Sequence, residues 1–60
     1  MKHLITVYVD GLRYEVLYAR SVIIHVYTYP TEADTPTLVD FRFLDERTQD
    51  AIITAINETS

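Results

Sequence analysis

Sixty residues carrying a formal net charge of −4, 48% hydrophobic side chains, five tyrosines and no cysteine describe one small folded domain spanning 1–60. The missing cysteine excludes disulfides, thiolate nucleophiles, cysteine-ligated zinc and iron–sulfur clusters, and the hydrophobic share excludes a disordered chain. A chain this short buries only about 60% of the surface its unfolded state exposes, so marginal stability is predicted.

Met1-Lys2-His3 leads straight into strand-like sequence, without the basic segment and apolar stretch of roughly 7–15 residues that mark a signal peptide. Nor does any apolar run approach the roughly 20 residues of a membrane span. A cytosolic protein without membrane contact is the expectation, in the host cytoplasm if the source is viral.

The first two strands are predicted at about 3–9 and 12–18, joined by Asp10-Gly11. An Asp-Gly loop of two residues favours a type I′ turn, because Asp and Gly accept positive φ and the twist of that turn matches its flanking strands. Val9 then faces Leu12, Val7 faces Tyr14, Ile5 faces Val16 and His3 faces Tyr18. Nearly every β-branched residue of the hairpin falls on one face.

A third strand is predicted over 22–29, reached through a three-residue connection, Ala19-Arg20-Ser21, that sets Tyr18 opposite Val22 and keeps Val22, Ile24 and Val26 on the apolar face. Pro30 ends it, since proline cannot donate to a ladder, and 31–36 is polar enough for a surface loop. The fourth strand, about 37–43, alternates Val39, Phe41 and Phe43 with Leu38, Asp40 and Arg42. Asp45 is a natural N-cap, with Glu46 placed where the helix dipole favours negative charge, so a helix is predicted over 46–57. Its stripe of Ile52, Ile53 and Ile56 must be buried, because three helical turns are unstable alone in water. The fold class is α+β: a four-stranded antiparallel meander (ββββα) with the helix packed on one sheet face, and Ile24, Val26, Phe41, Phe43, Ile52 and Ile56 as the core.

One helix shields one side of such a sheet. The other side would carry Leu4, Thr6, Tyr8, Arg13, Glu15, Leu17, Ile23, His25, Tyr27, Tyr29, Leu38, Asp40 and Arg42, far more apolar and aromatic than a usual solvent face. Tyr8, Leu17, Tyr27 and Leu38 are the candidate anchors for a partner, because tyrosine buries its ring while its hydroxyl keeps a polar contact. Strand one is a second route to association: Leu4-Ile5-Thr6-Val7-Tyr8-Val9 has no proline and no charge to block pairing, with Lys2 as its nearest guard. The charge is also uneven. Lys2, Arg13 and Arg20 against Asp10 and Glu15 leave residues 1–30 at +1, whereas Arg42 and Arg47 against seven acids leave 31–60 at −5. Glu46 and Asp50, on the outward helix face, are the candidate contacts if that acidic surface meets a basic partner.

Catalytic and ligand motifs are not found. His25 and Asp40 are expected side by side, but Ser21, on the same face, lies four strand residues away, roughly 13 Å, so no nucleophile completes a triad. His3 and His25 fall on opposite faces and cannot share a metal, Glu32 and Asp34 lack the spacing of a calcium loop, and a single glycine cannot build a phosphate cradle. No cofactor, metal or catalytic residue is assigned. Tyrosines with Arg13 and Arg42 could stack bases, but five basic residues against nine acidic ones speak against nucleic acid; Arg13 is expected to sit on Tyr8 in a cross-strand cation–π contact. The function expected is a non-enzymatic protein-interaction module, with the size and composition of small phage-type inhibitors or adaptors that bind a larger host protein. The alternatives are a homo-oligomeric structural or accessory protein, such as a homodimer, and a single-stranded nucleic acid binder.

Overall fold

Asp10 and Gly11 both adopt positive φ, 52° and 81°, as a type I′ turn demands. The strands they join, β1 (His3–Val9) and β2 (Leu12–Ala19), pair in the predicted register, with Val9 opposite Leu12, Val7 opposite Tyr14, Ile5 opposite Val16 and His3 opposite Tyr18. The structure, a computed structural model, describes residues 1–29 and 35–59. Most of the loop predicted over 31–36, with Pro30, Glu32 and Asp34, lies outside the described residues.

β3 (Val22–Tyr29) follows through a tighter connection than the three residues predicted. Arg20 and Ser21 form a second two-residue turn at φ 52° and 64°, and Ala19, not Tyr18, faces Val22. The register then shifts: Tyr18 faces Ile23, Leu17 faces His25, and Ile24 is the extra residue of a bulge. The bulge restores the pairing that the core needs, because without it Val26 would not oppose Val16 on the covered face. Two expectations are corrected by it. Ile23 turns inward and packs against the core, while Val22 and Ile24 are exposed, Ile24 by 38%.

β4 (Thr37–Val39) is shorter than predicted. It pairs Val39 with Val26 and Leu38 with Tyr27, completing an antiparallel sheet in the order β1-β2-β3-β4. The alternation that suggested a strand to Phe43 is interrupted at Asp40. Its carboxylate accepts the Arg42 backbone N–H at 3.0 Å and the guanidinium at 2.9 and 3.2 Å, winding Phe41–Phe43 into one 3-10 turn. Phe41 remains half-buried against the core, but Phe43 is 85% exposed and is no part of it.

The helix α1 (Glu46–Thr59) starts where predicted and runs two residues further. Asp45 caps it, its Oδ1 accepting the Thr48 N–H at 3.3 Å. Thr48, Ile52 and Ile56 are its buried residues, while Ile53 is 45% exposed. The helix makes its closest backbone approach to β1. Side chains fix both its ends: Arg47 meets Asp10 at 3.3 Å, Gln49 Nε2 donates to the Phe41 carbonyl at 3.0 Å, and Tyr18 and Thr59 join their hydroxyls at 2.7 Å. The core gathers Val7, Val9, Tyr14, Val16, Tyr18 and Val26 beneath Ile52 and Ile56.

Ile52 is fully buried, so Ile52→Ala is expected to cost about 2–5 kcal/mol. Phe43→Ala should stay within about 0.5 kcal/mol, as exposed positions do; chemical denaturation of both variants checks the contrast. Ser21→Gly should stabilise the domain by roughly 0.5–1 kcal/mol, because relief of positive φ at a side chain outweighs the added freedom of the unfolded glycine. A raised thermal midpoint is the readout.

Candidate interaction surface

Cross-strand pairing arranges the uncovered face of the sheet in rows. Leu4, Leu17 and His25 form one, Thr6, Glu15, Tyr27 and Leu38 the next, and Tyr8, Arg13 and Tyr29 the third. The outer strands are the more accessible: Leu4 is 60%, Tyr8 68% and Leu38 59% exposed, whereas Leu17 and Tyr27 between them are half-buried by their neighbours. The four sheet residues expected to anchor a partner therefore share this face. Glu46 and Asp50 are exposed on α1, across the sheet from them, so the two groups do not form one surface.

The third row is already occupied by internal contacts. The Arg13 guanidinium lies 3.6 Å from the centre of the Tyr29 ring, not on Tyr8 as its other cross-strand neighbour suggested. Glu15, two residues along β2 on the same face, approaches Arg13 at 3.9 Å and also acts on the Tyr29 hydroxyl, so the three side chains form one cluster. Arg13 Nε is enclosed without an acceptor. The Tyr29 hydroxyl is held above its usual pKa, first by Glu15 as hydrogen-bond acceptor, then by partial desolvation and by the carboxylate's charge, with Arg13 opposing. Tyr8, with its ring free of Arg13, is the most accessible tyrosine of this face.

His25 and Asp40 do not form the pair that their adjacency suggested. The Val26–Val39 register holds, but Asp40 has left the strand and its carboxylate is taken by Arg42, which keeps its pKa below the usual carboxylate value. His25 instead has the Tyr27 ring as a neighbour, 6.1 Å between centroids. His25 and Asp40 line a cleft of about 530 Å³ where the chain turns away from β3, together with Ile24, Leu38, Phe41 and Arg42. Ser21 is an exposed turn residue. His3 sits on the covered side, its ring 5.3 Å from that of Tyr18. Among the described residues no group of three metal-ligating side chains converges, and no helix is long and apolar enough to cross a membrane.

The exposure of Phe43 and Ile24 escaped sequence reasoning. One signal was available for the first: Asp-x-Arg at 40–42 places a carboxylate where it can accept the backbone N–H two residues on. No comparable signal announces the bulge. No family model, curated protein or solved structure matches the chain.

Because the Tyr29 pKa is raised, its neutral form is favoured in the folded state. Its stabilising contribution is complete below the ordinary tyrosine value of about 10 and is lost as pH rises through the higher folded value. A titration of tyrosinate absorbance should lose a late-titrating component in Tyr29→Phe and show that component moved to lower pH in Glu15→Gln.

Proposed function

We propose that this protein is a non-enzymatic protein-interaction module, a small inhibitor or adaptor that binds a larger protein through the uncovered face of its sheet. The observation that supports this reading is the accessible apolar surface left where one helix covers one face: Leu4, Tyr8 and Leu38 stand more than half exposed around half-buried Leu17 and Tyr27. Tyrosine is among the side chains that dominate the energy of protein interfaces, once a ring of near-neutral neighbours excludes water. The sheet beneath them is held by its pairing and by the helix, so little ordering is lost on binding. Tyr29, Arg13 and Glu15 form a pre-set polar margin to this patch.

The acidic helix surface makes a competing demand on the same experiment. Affinity capture from the native cell with the intact chain as bait should recover a partner that Tyr27→Ala combined with Leu38→Ser no longer retains, while the circular dichroism spectrum stays native. Reversal of Glu46 and Asp50 to Lys should leave that partner bound at moderate salt. Loss of binding only on the charge reversal, with steep weakening by salt, would move the interface to the helix. A partner retained by both double variants would remove the sheet-face reading.

A further inference from the structure

β1 is an edge strand along its whole length. It pairs with β2 on one side, and on the other the backbone groups of alternate residues have no strand partner among the described residues. Its central stretch, Leu4 to Val9, carries no charge, no proline and no bulge, the devices by which edge strands avoid pairing. Ile5, on the covered face, is only half-buried, although it packs against the core. This edge adjoins the uncovered face through Leu4 and Tyr8, whereas Tyr27 and Leu38 lie toward the other side of the sheet order.

We propose that β1 pairs antiparallel with β1 of a second copy about a twofold axis at Thr6, joining two four-stranded sheets into one of eight strands. A twofold interface must be complementary to itself. Centring the axis on Thr6 satisfies this better than either neighbouring register. All seven residues of His3–Val9 are then paired, whereas moving the axis to Ile5 or Val7 leaves residues at one end of each strand facing a turn or terminus. On the uncovered face Thr6 meets Thr6, and Leu4 meets Tyr8 of the other copy, an aliphatic–aromatic pair formed twice. On the covered face Ile5 meets Val7, completing the burial that one chain leaves unfinished.

The ends of the strand carry the charge complementarity that selects a second copy as occupant. In this register Lys2 of one chain falls beside Asp10 of the other, at both ends of the interface. Asp10 is accessible and uses one carboxylate oxygen, Oδ1, for Arg47, so the second can accept from Lys2. The neutral strand between these ends brings no repulsion into a contact between two chains of net charge −4.

The register makes a specific demand on cross-linking, since the native chain has no cysteine. In sedimentation equilibrium the wild-type protein should show twice its 7.0-kDa chain mass. Thr6→Cys should oxidise to a disulfide-linked dimer, Leu4→Cys and Tyr8→Cys should not do so alone, and a mixture of those two should cross-link to each other. Thr6→Lys should be monomeric with a native circular dichroism spectrum, and mixing it with Thr6→Glu should restore the dimer. A wild-type chain that stays monomeric at millimolar concentration overturns the proposal. So does a Thr6→Lys protein that still dimerises, or cross-linking of Leu4→Cys or Tyr8→Cys with itself as readily as Thr6→Cys. Tyr27→Ala with Leu38→Ser should leave the dimer intact, which separates this interface from the partner-binding face.

Discussion

Burial of Ile52 together with Val16 and Val26 is the interaction on which the rest of this domain depends. These three are the largest side chains fully withdrawn from solvent, and they come from the helix and the two central strands. Burying each contributes roughly 1.5–3 kcal/mol, a large share of what separates folded from unfolded in so short a chain. Neither partner is stable without the other, because the helix is too short to persist in water and an uncovered meander has no dry face. The polar contacts at the helix ends, Arg47 to Asp10, Gln49 to the Phe41 carbonyl and Tyr18 to Thr59, add direction to this packing more than energy.

The same contact explains what the molecule leaves open. A single helix centred on that core, with its closest approach at β1, cannot also shelter the reverse of the sheet. Tyrosines and leucines chosen for strand formation therefore stand on a face where burial is incomplete. Within it the polar residues are organised differently from the apolar ones. Arg13, Glu15 and Tyr29 engage one another across β2 and β3, although Arg13 Nε keeps no acceptor, whereas Tyr8 and Leu38 on the outer strands have little above them. The gradient runs from an ordered polar margin to accessible hydrophobic surface.

Two local features adapt the chain where strand alternation and core geometry conflict. At Arg20-Ser21 the tight turn offsets the pairing by one residue, and the bulge at Ile24 absorbs the offset so that Val26 still meets Val16. At Asp40 a side chain bonds to the backbone two residues ahead and ends the strand early. The second strand edge thereby stops at Val39, opening the cleft beside His25 and sending Phe43 into solvent. Both features exchange a repeating pattern for a local hydrogen bond or turn, at positions where few residues vote.

The first hairpin, the helix with its Asp45 cap, and the meander order were determined by residues close together in the chain. Asp10-Gly11 admits one favoured turn, and with side chains alternating at a period of two, that turn assigns every residue of both strands to a face. The separation of the tyrosine face from the acidic helix followed from the same alternation. The second turn had no glycine to mark it. Its register was decided by the demand that Val16, Val26 and Tyr18 all reach the covered face, which is a property of the assembled sheet and not of any short segment. Phe41 and Phe43 show the same division. Two residues of one type, two positions apart, end half-buried and exposed because the tertiary path turns at Asp40 before the alternation can continue.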